Sequence, residues 1–246
     1  MTVIPNQQLE RLIPLLDRGE LSPKQLQDLD AAVKQEINRR CGEQGLFWAK
    51  FVSTRDEADP EHSIKAFPLH EEYVRLLWQD WTDNQVCAVA KSRQMFVSWT
   101  ICAYAVHWAR YRGNQAVYFQ TQNWPDAVAM VSRPEGYVEG RMQFLETHQP
   151  EWLRQKAKFT EGMIQYPNGS IIQALSGGAN QIRSKTPSLY IGDEFAFQED
   201  QDKIWTSVAP LIQKGARAIL ISTPNGSSNA FATLYHGHPV GEVIAA

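Results

Sequence analysis

The sequence predicts a three-layer α/β domain with a mostly parallel central sheet, preceded by a small helical appendage. Three observations predict it. Short apolar runs recur at 85–90, 115–121, 188–192 and 216–222. Stretches of helical length separate them, and strands joined through helices form parallel sheets covered on both faces. The chain has 246 residues, 43% of them hydrophobic, which suffices for one large domain or for one of ordinary size with an appendage.

Taken in order, the first 42 residues read as polar and helical. In LSPKQLQDLDAAVKQEINRR, Ser22 is a helix cap and Pro23 the first helical residue. Leu26, Leu29, Ala32, Val33 and Ile37 follow at helical spacing, the pattern of a helix packed on a larger body or offered to a partner. A connector with the aromatic anchor Phe47, Trp48 and Phe51 runs to a boundary near residue 65. The organisation is therefore an appendage over 1–65 and the main domain over 66–246.

Within the main domain, PLHEEYVRLLWQDW is an amphipathic helix, QVCAVA a buried strand and WTICAYAVHWARYR a helix. QAVYFQT is a strand, and WPDAVAMVSRPEGYVEGRMQFL is helical with a break near Pro134, Glu135 and Gly136. MIQYPNGSIIQAL is a hairpin turning at Asn168-Gly169. SLYIG is a strand, DQDKIWTSVAPLIQ a helix and ARAILIS a strand. No internal repeat is found.

Composition excludes several classes. No apolar run approaches the ~20 residues of a membrane-spanning helix, and the N-terminus lacks the basic-then-apolar pattern of a secretory signal. Cys41, Cys87 and Cys102 are odd in number and far apart, with no CxxC, which predicts buried thiols in a reducing compartment rather than zinc or disulfides. The net charge of -3 predicts that any contact with nucleic acid is local, weak or shared with other subunits.

Three segments carry chemistry. The first follows the strand at 85–90: Lys91, Ser92, Arg93, Gln94, Met95, Phe96, Val97, Ser98 and Trp99, then a helix. Strand, turn and helix N-terminus are the setting of a phosphate-binding loop. Against G-x-x-x-x-G-K-[ST], Ser98 stands at the magnesium-ligating hydroxyl. Val97 replaces the lysine, Phe96 the second glycine and Lys91 the first, so the motif fails by itself and the segment also reads as an ordinary turn. Lys91 can supply the missing cation by curling over the phosphates, with Arg93 as a second. A side chain at 96 limits the backbone where glycine is usual.

The second segment is Asp193-Glu194, at the C-terminal end of an apolar strand, the edge of a parallel sheet where ligands bind. This is a Walker B arrangement with an added glutamate. Asp193 joins Ser98 around Mg2+, and Glu194 polarises the attacking water of ATP hydrolysis. A plain helix cap is the competing reading. The third segment is Ser222-Thr223-Pro224-Asn225-Gly226 at the end of the last strand. Ser222, Thr223 and Asn225 can sense a γ-phosphate there; the run is also rich in ordinary turn residues.

In this order, KSRQxxxS, IRSKTPSLYIGDEFAF and LISTPNGSSNAFATLYH resemble the P-loop ATPase domain of the large terminase subunit of tailed bacteriophages, the DNA-packaging motor. The resemblance covers roughly residues 66–237. Lys91 matches the variant loop in which the lysine comes first, and STPNG matches the coupling motif. Phe96 and Val97 depart from the family pattern.

The resemblance implies a P-loop NTPase fold of the additional-strand, catalytic-glutamate type. It implies hydrolysis of ATP with Mg2+ to drive double-stranded DNA into a procapsid, in the host cytoplasm. Portal protein, small terminase subunit and a homo-oligomeric ring are its implied partners. Arg183, ahead of the Asp-Glu strand, is implied as a catalytic finger toward a neighbouring subunit; by itself it reads equally as a solvated arginine. The chain ends at VGEVIAA, and the family's C-terminal nuclease domain is expected to be absent from it. Two rivals stand beside this reading: a helicase-like DNA-dependent ATPase, and a degenerate non-hydrolysing domain used for docking, for which Phe96 and Val97 argue.

Overall fold

The computed structural model describes residues 11–15, 20–56, 59–92 and 95–237. It divides into two compact units, Met1–Leu69 with Phe144–Gln155, and His70–Gln143 with Lys156–Ala246.

The first unit holds helices α1 (Pro23–Gln27), α2 (Ala31–Glu43) and α3 (Gly45–Trp48) and a small hairpin, β1 (Ser53–Arg55) and β2 (Ile64–Ala66). The expected single helix is two. Ser22 caps α1 in a capping box with Gln25, and Asp30 then caps α2 by accepting from the Val33 amide at 2.8 Å. The apolar rhythm runs through both, so periodicity hides the break that a second capping carboxylate makes. Val33, Ile37, Cys41 and Trp48 are fully buried. Phe47, Phe51 and Trp152 meet edge to face, and the Trp48 indole donates to Gln149 Oε1 at 3.3 Å. The aromatic anchor is therefore a core.

The second unit is built on a seven-stranded sheet. Its strands are β3 (Val86–Ala90), β4 (Ala116–Gln120), β5 (Lys158–Thr160), β6 (Met163–Gln165), β7 (Ile171–Leu175), β8 (Leu189–Asp193) and β9 (Arg217–Ser222). They lie in the order β3-β9-β8-β4-β7-β6-β5. The first four pairings are parallel and the last two antiparallel. One strand, β9, lies between β3 and β8, as the additional-strand arrangement requires.

The helices of this unit are α4 (Glu72–Asp83), α5 (Val97–Tyr111), α6 (Trp124–Met130), α7 (Arg141–Thr147, which begins in it), α8 (Asn180–Arg183), α9 (Gln201–Ile212) and α10 (Ala230–Gly237). Tyr118, Tyr190, Ala218 and Leu220 join one core with Ile182, Ile204, Val208 and Phe231, which lie on α8, α9 and α10. Strand alternation turns Val117, Phe119, Ile191 and Ile219, all buried, to the opposite face. There α5 adjoins β4 and β7, and α4 adjoins β3. The layers are helix, sheet, helix, as expected.

Individual elements fall close to the expected runs. The hairpin turns where expected, with Gly169 at φ +82°, a conformation L side chains resist. The helical break predicted at Pro134 is a ten-residue irregular segment between α6 and α7. All three cysteines are buried and none forms a disulfide. No helix among the described residues is long and apolar enough to cross a membrane.

Candidate functional site

The parallel strands β3, β8 and β9 end together, and each delivers a side chain or backbone group to one cleft of about 390 Å3. It is lined by Lys91, Ser92, Met95, Phe96, Ser98, Trp99, Arg141, Glu194 and Thr223. The pairing that aligns the strands continues past them, since the Lys91 amide donates to the Ser222 carbonyl at 2.9 Å.

Lys91 leaves the end of β3 and is 8% exposed. Its Nζ lies 3.2 Å from Ser98 Oγ, 3.3 Å from Asp193 Oδ1 and 3.2 Å from Glu194 Oε1. Ser98 is the second residue of α5. One ammonium thus joins the loop hydroxyl to both carboxylates across about a hundred residues of sequence. Val97 is fully buried and contributes packing. Arg93 and Gln94 lie outside the described residues.

The backbone at Phe96 does not require glycine. Its φ is -50°, and the ring is turned outward to the cleft.

Asp193 ends a fully buried strand, and burial pushes its carboxyl above the usual range while Lys91 opposes the shift. Its Oδ1 also accepts from the Glu194 amide at 3.0 Å. Glu194 is left-handed, φ 47° and ψ 43°. Such a residue costs about 1–2 kcal/mol and persists where its surroundings hold it, and such outliers gather at functional sites. Glu194 precedes a short 3-10 turn, Phe195–Phe197, but makes no side-chain cap. Its carboxylate instead meets Lys91 and, through Oε2, accepts from the Thr223 hydroxyl at 3.3 Å. The helix-cap reading does not describe these side chains.

Ser222 is fully buried and its Oγ accepts from the Ala196 amide at 3.1 Å; the Asn225 amide group donates to the Ala196 carbonyl at 3.0 Å. The 222–226 segment is thus tied to the turn that carries Glu194. Arg183 is not brought to the cleft. It is exposed, donates to Asn180 Oδ1 at 3.1 Å, and lines a separate hollow with Gly177, Gly178, Asp200 and Lys203.

Two features escaped the sequence reading. Arg141 lines the cleft from an element with no motif. A buried chain of amides lies beneath Asp193: Gln198 Nε2 donates to the Asp193 and Gln120 carbonyls, and Tyr190 donates to Gln120 Oε1 at 2.7 Å. A polar residue inside an apolar strand, Gln120, was its only signal.

No group of three or more His, Cys, Asp or Glu among the described residues could hold a metal alone. Ser98 Oγ and Asp193 Oδ1 both face one point, now taken by Lys91 Nζ. Two hard oxygens suit Mg2+, which keeps waters and takes substrate phosphates.

No protein-family model matches the chain. Among solved structures, the large terminase of bacteriophage HK97 matches with TM-score 0.57 and 13% identity over 79% of this chain and 40% of that one. The large terminase ATPase domain of Thermus phage P74-26 matches with TM-score 0.47 and 17% identity, over 62% of this chain and 64% of that one. The large terminase of a thermophilic bacteriophage, solved in complex with ADP, gives TM-score 0.47 and 11% identity over 67% of this chain and 41% of that one. This chain thus spans less than two thirds of each. The HK97 match shows that the fold is shared with a phage large terminase, in agreement with the resemblance carried by the motifs.

Proposed function

We propose that the cleft binds and hydrolyses Mg·ATP, and that the chain is the ATPase motor part of a viral terminase large subunit. The observation that carries the reading is the convergence of Lys91, Ser98, Asp193 and Glu194 within 3.3 Å of one ammonium. Three separate elements meet there and bring together the residue types that phosphoryl transfer uses: a cation, a hydroxyl and two carboxylates.

Ser98 and Asp193 are the residues that would hold the magnesium ion, which when bound neutralises charge on the phosphate oxygens. Lys91 then exchanges its two carboxylates for phosphate oxygens. Glu194, half-exposed beside the cleft, orients a water and draws on its proton. Thr223, hydrogen-bonded to Glu194, passes a change at that carboxylate to the 222–226 segment. The shared fold supports extending this to the motor's partners: double-stranded DNA, a portal protein, a small terminase subunit and further copies of the chain in a ring. Arg183, remote from its own cleft and exposed, is available to a neighbour's. The setting is the cytoplasm of the infected host.

The test is ATP hydrolysis with and without double-stranded DNA, in wild type and Glu194→Gln. The variant is expected to bind Mg·ATP and turn over at least about a hundredfold more slowly. Equal turnover in the two removes Glu194 from the chemistry. Tight binding without any turnover in wild type favours the non-hydrolysing docking domain.

A further inference from the structure

The charges of the cleft are unevenly spent. Lys91 is shared between two carboxylates. Asp193 and the lining Glu194 thus offset Lys91, and the other cation among the described lining residues is Arg141. No described carboxylate pairs with it. Its guanidinium lies 5.6 Å from the centre of the Trp99 ring and donates to the Met130 sulfur at 3.2 Å, a weak acceptor. With a ring and a thioether as its contacts among the described residues, this half-buried guanidinium keeps most of its donors for something else.

The backbone aims it there. A Cβ on Gly140 would lie 2.7 Å from the Ser132 nitrogen and the Val131 carbonyl carbon, so only glycine allows this close pass. Gln143 locks the pass: its amide donates to the Val131 carbonyl at 3.0 Å, and its Oε1 accepts from the Arg133 amide at 2.9 Å. Ser132 Oγ in turn donates to the Met163 carbonyl at 3.0 Å. Arg141 therefore stands on a braced segment, anchored to the sheet through the β5–β6 hairpin.

We propose that Arg141 is a polyphosphate ligand of the cleft, a planar two-pronged donor supplied from outside the phosphate loop. The inference rests on the nucleotide reading above and deepens it. A triphosphate carries more negative charge than the single ammonium of Lys91 can answer, and a guanidinium matches phosphate oxygens in pairs. Because it acts on charge rather than on the base, Arg141 makes the cleft count phosphates.

The experiment is titration calorimetry with a non-hydrolysable triphosphate analogue, ADP and AMP, each with Mg2+, on wild type, Arg141→Gln and Arg141→Lys. In Arg141→Gln the triphosphate is expected to weaken about tenfold or more, as loss of a charged hydrogen bond implies, and AMP by less than about threefold. Arg141→Lys should recover part of the loss. Equal weakening for all three nucleotides marks a structural role and overturns the inference, as does unchanged triphosphate binding. If Arg141→Gln does not fold, the lysine variant decides: its preference for triphosphate over AMP must fall below wild type. Wild type that binds none of the three overturns the nucleotide reading itself.

Discussion

On the exposed face of α2, Glu36 meets Arg39 at 2.7 Å and Arg40 at 2.9 Å. At the sheet edge, Lys91 meets Asp193 and Glu194 at 3.3 and 3.2 Å, with the Lys91 and Asp193 side chains 8% and 3% exposed. By distance alone the first set is the better. Its members sit three and four residues apart on one helix, and water screens them, so each contributes little. The second set joins the ends of two strands and holds Lys91 and Asp193 out of water, where a charge left without its partner costs several kcal/mol. The shorter contact is the dispensable one, and the longer one holds a site together.

Three substitutions break or sharpen that contrast. Arg183 is exposed, so by the logic of α2 its removal should cost no stability. If it acts on a neighbour's cleft, Arg183→Ala should still lower the specific activity of the assembled protein about a thousandfold, and abolish any rise of activity with protein concentration. High activity independent of concentration in wild type would end the trans role while leaving the hydrolase reading intact.

Next comes Lys91→Met, which keeps the length of the side chain and deletes its charge. Asp193 is left buried without its cation, and unfolding in denaturant should show a loss of about 3 kcal/mol. Adding Asp193→Asn should restore most of it without restoring turnover. A loss below about 1 kcal/mol would place this pair with the surface pairs.

The smallest effect belongs to Glu36→Gln. Hydrogen bonds from Arg39, then Arg40, lower the Glu36 pKa from 4.5 to about 2. A depressed carboxylate stabilises the fold above its unfolded pKa and loses that contribution as pH falls through the folded one. Wild type and variant should therefore differ slightly in denaturant melts at neutral pH and converge between about pH 4.5 and 2. A gap that widens in acid would assign Glu36 another role.

What could be read in advance follows the same division between local and assembled. The long strands announced themselves because Arg217–Ser222 is buried on both faces past its first residue, and Val86–Ala90 on one face with the other partly covered, so both runs are nearly continuously apolar. Lys158–Thr160 is three residues, with an exposed lysine and threonine, too short to show alternation. Lys91, Ser98, Asp193 and Glu194 were legible because strand ends and helix starts fix where such residues must emerge. Arg141 was not, because it arrives by way of the close pass at Gly140, and nothing in RPEGYVEGRMQF says which way that segment returns. The same holds for Phe144–Gln155, which leaves the sheet unit and packs with the N-terminal one. The left-handed turn at Glu194 was equally silent, since no glycine marks it.

The burial of the thiols has a practical consequence. Cys41, Cys87 and Cys102 are all inside, and burial pushes the Cys102 thiol up to about 12. At neutral pH it offers almost no thiolate to an alkylating reagent. A maleimide dye should pass over the native chain and react with a cysteine introduced at the exposed Ser228. That single attachment point lies just beyond the 222–226 segment. Whether that segment moves when nucleotide is added can thus be followed by fluorescence in the otherwise unmodified protein, with no need to strip its own cysteines first.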